Sequence, residues 1–218
     1  MQKELICLIL RFWLITQQDQ KGFSRFLETI GHNSGEELVI ESIASDASVK
    51  ASTVRNYIDI LRDTLLIFET LPFVKGRKRK VVSRSKLWLF DVGIANSLAR
   101  RESIREGSEA FGKAFEHFIA REIATYLSYK RISSTLCYWR THDQKEVDFI
   151  IPDSVAIEVK ATTQVADRAL KQLFFFKEEK AVKRHIIVCR EREPRTVSGI
   201  EILPWNHFLD QLWSGEFC

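Results

Sequence analysis

A chain of 218 residues with 45% hydrophobic and 28% charged residues can bury one sizeable core or two smaller ones, and its composition fits a soluble, globular, cytoplasmic protein. The formal charge of +4 lies wholly within residues 1–100, residues 101–218 being balanced, so any attraction to an anionic partner is expected from the first half. Cys7, Cys137, Cys189 and Cys218 are too scattered for a zinc pattern or a disulfide framework and read as reduced thiols; the five histidines do not cluster, which leaves zinc and Ser-His-Asp chemistry without support.

The opening apolar run ICLIL is interrupted at Arg11 and lacks a small-residue cleavage site, so residues 1–35 are expected to form an N-terminal helical segment, with neither a signal peptide nor a membrane span. The stretch LVIESIASDASVKASTVRNYIDILRDTLLI then predicts two helices separated by a turn near Ser48 and Val49. Val54, Ile58, Leu61 and Leu65 make the inward stripe of the second helix, leaving Lys50, Ser52, Thr53, Arg55 and Asn56 exposed at its N-terminal end. In a helix-turn-helix those positions face a major groove. Asp59 and Asp63 make the later turns unfavourable for DNA, and a protein-interaction or spacer role is the alternative.

Next come LLIFETLPF and KLWLFD, two strand-like runs that a turn at Gly76 can join as a hairpin. Its tip is basic: Lys75, Arg77, Lys78, Arg79, Lys80, Arg84 and Lys86 occur with no acid between Glu69 and Asp91. Residues 36–100 therefore read as a winged helix-turn-helix, with Arg55 and the hairpin residues Lys75 to Arg84 as the candidate DNA-binding groups. The polar stretch ARRESIREGSE is the expected connection.

In residues 101–218 the first element is a long amphipathic helix, SEAFGKAFEHFIAREIATYL, with Phe111, Phe115, Phe118, Ile119, Ile123, Tyr126 and Leu127 at helical spacing and Glu116 at the edge of that stripe. EVDFII, the turn formers Pro152, Asp153 and Ser154, and VAIEVKA then read as a hairpin. Strand alternation puts Ala156, Glu158, Lys160 and Thr162 on one face, so Glu158 and Lys160 point the same way. Asp148 and Glu158 offer hard oxygen ligands suited to Mg²⁺ or Mn²⁺, the Val159 carbonyl is a further candidate ligand, and Lys160 can orient a water or offset developing charge. The plain alternative is an ion pair on a solvated strand, with Glu116 simply exposed. Arg140 and Thr141 stand near enough in sequence to contact a phosphate, although Arg140 can equally pair with Asp143 or Glu146. Gln172 reads as a surface residue or as a support for Lys160. RHIIVCR is expected to add the next strand, and Trp205, Phe208, Leu209 and Trp213 the packing face of a closing helix.

With helix, YWRT, EVDF and EVK in that order, residues 101–218 resemble the PD-(D/E)XK nuclease superfamily. More closely, TVRNYIDILRDTLLIFETLP, KLWLFDVGIANSL, FGKAFEHFIAREI, YWRTHDQKEVDFII, AIEVKAT and IEILPWNHFLDQLWSGE resemble the C-terminal region of bacterial and archaeal AAA-type ATPases that carry the domain of unknown function 4143. The resemblance implies an α/β protein: a restriction-endonuclease-like core with a mixed sheet flanked by helices, preceded by a small winged helix. It also implies Glu116, Asp148, Glu158 and Lys160 as the catalytic set, with metal at Asp148, Glu158 and the Val159 carbonyl. Val147 stands where the superfamily's naming proline-aspartate pair is expected, and no G-x-x-x-x-G-K-[ST] loop occurs anywhere. ATP binding is therefore not expected, and the chain reads as a fragment, a truncated frame or a free-standing module that works with a separate ATPase subunit.

Overall fold

A computed structural model describes residues 19–74, 84–101 and 103–217. Among these, the chain order is α1 (Gln20–His32), α2 (Ile40–Ala47), α3 (Ala51–Asp63), β1 (Ile67–Pro72), β2 (Lys86–Leu89), α4 (Val92–Leu98), α5 (Glu109–Tyr129), β3 (Cys137–Arg140), β4 (Glu146–Ile151), β5 (Val155–Val159), α6 (Asp167–Lys177), β6 (Arg184–Cys189), β7 (Arg195–Val197), β8 (Ile200–Pro204) and α7 (Trp205–Ser214). Two compact units divide at Glu69 and Thr70, at Ser85 and Lys86, and at Ser103 and Ile104, with Lys86–Ser103 belonging to the first. Tip residues Lys75, Gly76, Arg77, Lys78, Arg79 and Lys80, the segment 1–18 with Cys7, and Cys218 lie outside the described residues.

The first unit is held by an aromatic and aliphatic core. Phe23, Phe26 and Ile30 of α1 meet Ile43, Ala47, Val54, Tyr57, Ile58 and Leu61, with Leu87 and Leu89 of β2 in the same cluster. The Phe23 and Tyr57 rings meet edge to face at 4.9 Å. A Cβ on Gly31 would come within 2.7 Å of the Leu98 Cβ, so glycine lets α1 and α4 approach closely. Between α2 and α3 the chain turns at Ser48, which is left-handed at φ 53°, while the Val49 N–H donates to the Ala44 carbonyl. Leu65 departs from the expected inward stripe. The helix ends at Thr64, Leu65 enters the left-handed region at φ 58° and is 80% exposed, and Leu66 packs against the core in its place.

Strand neighbours follow the order β2-β1-β3-β4-β5-β6-β8-β7, an eight-stranded mixed sheet flanked by helices. In the second unit β4 is antiparallel to β5, while β5, β6 and β8 run parallel. All five residues of β5 are buried, as expected for a strand covered on both faces. Helix α6 supplies Leu170, Leu173 and Phe176 to a core with Trp139, Val147, Ile150, Ala156 and Ile187. In α7 the buried residues are Phe208 and Leu212, whereas Trp205, expected on the packing face, is 41% exposed and meets Phe118 edge-on.

Helix α5 starts at Ser108, whose hydroxyl accepts a hydrogen bond from the Phe111 N–H at 3.1 Å. Ser108→Ala should cost about 1 kcal/mol by leaving that N–H without its cap. Urea denaturation checks this, and a midpoint unchanged from the parent would show that the cap contributes nothing.

Candidate active site

Strands β4 and β5 pair through Ile151 with Val155, Ile150 with Ala156, and Phe149 with Ile157. Continuing this register places Asp148 opposite Glu158 on one sheet face. The ladder changes character there: the Val159 N–H donates to Asp148 Oδ2 at 2.7 Å. A carboxylate thus takes the place of a strand carbonyl, which fixes Asp148 against the end of β5.

Glu158 is 3% exposed. Its Oε1 accepts from Lys160 Nζ at 2.6 Å, and its Oε2 is buried without a hydrogen-bond partner. Burial, followed by the charge of Asp148, pushes the Glu158 carboxyl up to about 8; Lys160 opposes this and Glu116 adds to it. For Lys160, burial works against the charged form, but Glu158, Asp148 and Glu116 outweigh it and hold the ammonium above its ordinary range. Glu116 is half-buried on α5 and acts electrostatically on both. Glu116, Asp148, Glu158 and Lys160 therefore form one electrostatic cluster, carried by three separate elements.

Glu158 and Lys160 open into a cavity of about 880 Å³. Gln172 lines it too, and its Oε1 is buried without a hydrogen-bond partner, so the surface reading of this glutamine does not hold. Arg168, Arg190, Glu106 and Phe111 complete the charged and aromatic lining, and sequence reasoning had singled out none of them for a site. The Arg190 guanidinium lies over the Phe111 ring at 4.9 Å and donates to Glu106 Oε1 at 2.8 Å.

Other predicted groups lie elsewhere. Thr141 is buried, and its hydroxyl accepts from the Lys145 N–H inside the turn. Arg140 pairs with Glu146 at 3.6 Å and donates to Gln144. Arg55 is exposed on α3 and bonded to Glu41 at 3.3 Å. Arg84 is exposed, and its carbonyl accepts from the Tyr138 hydroxyl at 2.6 Å.

Among the described residues, no three Asp, Glu, His or Cys side chains form a ready-made cation cage. Mg²⁺ fits such a site nonetheless, because it is commonly held by one or two carboxylates while keeping several waters. The buried, unpartnered Glu158 Oε2 beside Asp148 is the kind of hard donor it takes.

The uncharacterized protein Mb2031c of Mycobacterium bovis and the uncharacterized protein Rv2008c of Mycobacterium tuberculosis are each 24% identical over 139 residues, covering 62% of this chain and 31% of the relative. The chain thus spans about a third of the length of the curated relatives it matches. No solved structure matches it. Residues 14–105 match the family model of a domain of unknown function (DUF8612), and residues 111–208, which carry Glu116, Asp148, Glu158 and Lys160, match that of a domain of unknown function (DUF4143).

Proposed function

We propose that the chain is a metal-dependent deoxyribonuclease of the PD-(D/E)XK type, whose first unit is a winged helix that delivers DNA to the second. One observation carries this reading: Glu158, buried yet ion-paired with Lys160, keeps an unpartnered oxygen beside Asp148 and lines an open cavity. A buried carboxylate retained only for packing should have both oxygens satisfied. Below about pH 8 Glu158 keeps its proton, and a bound cation would take that proton's place and add the positive charge a phosphodiester needs.

Asp148 and Glu158, with the Val159 carbonyl, would hold Mg²⁺ or Mn²⁺, which supplies positive charge and a bound water of lowered pKa. The chain's own groups do the rest. Lys160 Nζ, kept charged by its neighbours, hydrogen-bonds the attacking water or offsets charge on the phosphate oxygens. Gln172, which lines the same cavity and whose Oε1 is a buried acceptor without a hydrogen-bond partner, orients either the water or the ammonium.

The experiment is cleavage of linear, branched and single-stranded DNA by the purified chain with Mn²⁺, paired with calorimetric titration of the ion. Ion binding that depends on Asp148, together with cleavage, supports the reading. If neither is found, the chain is a noncatalytic accessory module that keeps the fold as a scaffold. A separate ATPase subunit is the proposed partner, and co-purification from the native cell tests it.

DNA delivery is assigned to the basic residues of the hairpin, with Arg55 of α3 as a second group that must leave Glu41 to reach DNA. Each phosphate neutralised contributes about −0.9 to the slope of log affinity against log salt. Replacing Lys78, Arg79 and Lys80 together by Ala should weaken duplex binding for all sequences and flatten the slope by about that amount for each phosphate left without its cation. Identical affinity and slope in the triple variant would assign the hairpin to another role.

A further inference from the structure

We infer that Arg190 is a second phosphate-gripping group of this cavity, and that Glu106 holds its guanidinium in place until the phosphate of a DNA strand displaces it. The inference rests on the nuclease reading above and extends it to the substrate's neighbouring phosphate.

Position comes first. Beyond the last ladder pair of β5 and β6, the Lys160 N–H donates to the Val188 carbonyl, and two residues further the Arg190 N–H donates to the Thr162 carbonyl at 2.8 Å. The pairing of Val159 with Val188 puts Cys189 level with Lys160 and Arg190 one position beyond it, and both cations line the same cavity.

Chemistry comes second. The Arg190 side chain is 23% exposed, stacked on Phe111 and bonded to Glu106, so its fork is already oriented. Its partner is held far less firmly: the Glu106 side chain is 72% exposed, and an acid so solvated makes a weak ion pair. A phosphate can take the same guanidinium through two parallel charge-assisted bonds. Glu106 thus occupies the place of the ligand with an anion that is easily released.

The length of the groove points to a polymer. A second cavity of about 930 Å³ shares Thr163, Gln164 and Arg190 with the first, and its lining sets Arg190, Arg192 and Arg195 beside Asp167, Glu191 and Glu193. Glu191 binds Arg195 through both carboxylate oxygens, while Arg192 is exposed. A strand leaving Lys160 can pass Arg190 into this second cavity, which a free mononucleotide would not need.

The test uses the whole chain and a fluorescein-labelled single-stranded DNA oligonucleotide, followed by anisotropy with Ca²⁺ so that binding is read without turnover. Arg190→Gln should weaken binding about tenfold and flatten the salt slope by about 0.7, the contribution of one phosphate on a single strand. Arg190→Lys should recover part of the affinity, and Glu106→Gln should tighten binding severalfold. In Mn²⁺-dependent cleavage, Arg190→Gln should raise KM and leave kcat within about threefold. Circular dichroism melts establish that each variant is folded.

If Arg190→Gln binds with parental affinity and slope, or Glu106→Gln binds no tighter, the inference is wrong even where Asp148→Asn abolishes cleavage, and the nuclease reading stands without it. If no ion gives cleavage but the two variants shift affinity in opposite directions, the phosphate grip stands and hydrolysis falls. Displacement of the oligonucleotide by inorganic phosphate at equal phosphate concentration would mark a free-phosphate site and overturn the assignment to DNA.

Discussion

Asp148→Asn and Glu158→Gln should each lower Mn²⁺-dependent DNA cleavage by about 10³-fold or more, with folding retained. Both changes are nearly isosteric. Asparagine at 148 keeps an oxygen that can accept from the Val159 N–H, the 2.7 Å bond that ties β4 to the end of β5, and removes only the charge. Asp148→Ala would remove both, so the comparison separates ion binding from strand geometry. A metal-held charge contributes several kcal/mol to a transition state, and about 4 kcal/mol corresponds to a 10³-fold change in rate. Lys160→Ala is expected to behave differently. It should leave ion binding measurable by calorimetry and lower kcat by about 10² to 10³, because what it removes is a donor poised toward developing charge. Ca²⁺, with its longer and less ordered ligand shell, should bind yet support little cleavage. Parental cleavage by Asp148→Asn would remove Asp148 from the chemistry and the nuclease reading with it.

What was legible in the sequence was local and periodic. The side-chain period of two put Glu158 and Lys160 on one face, and the observed 2.6 Å ion pair follows from that alone. Helices α2 and α3 and the turn between them followed from apolar spacing, and the β4–β5 hairpin followed from Pro152, Asp153 and Ser154 between two apolar runs. Leu65 broke the pattern because a helix end is set by backbone capping; a non-glycine residue in the left-handed region carries no sequence signal of its own. Arg190 was out of reach for another reason. It joins the Lys160 neighbourhood only through the parallel pairing of β5 with β6, with α6 between them in the chain, and meets Glu106 and Phe111 across more than 75 positions. Parallel pairs and long-range neighbours leave no spacing to count. Gln172 was ambiguous because α6 periodicity places it at the edge of the buried stripe, and only the cavity beside it shows that its oxygen is buried.

A metal-free protein should lose stability as pH rises from about 4.5 to about 8, and Glu158→Gln should lose much less. The Glu158 carboxyl is raised in the folded state, first by burial and then by Asp148, whereas in the unfolded chain it keeps its ordinary value of 4.5. Below 4.5 both states hold the proton, and the advantage of burying a neutral carboxyl is fully present. Between 4.5 and about 8 the unfolded chain releases the proton while the folded chain keeps it, so stability falls with rising pH at up to about 1.4 kcal/mol per unit. Above about 8 the folded state ionises too and the loss levels off, after a total on the order of a few kcal/mol. Lys160 stays charged throughout this window, since its neighbours hold it above its ordinary range, and contributes no slope of its own. Glutamine at 158 is neutral at every pH, so titrations common to both proteins cancel in the difference between them. Urea denaturation of parent and variant at pH 5, 7 and 9 in a chelator measures that difference, which should shift toward the variant as pH rises. Saturating Mg²⁺ should then restore the parent and not Glu158→Gln, by the stabilisation that any ligand of the folded state confers. A stability difference independent of pH would show that Glu158 is ionised throughout and its second oxygen satisfied, and the strongest structural argument for an ion at this site would be gone.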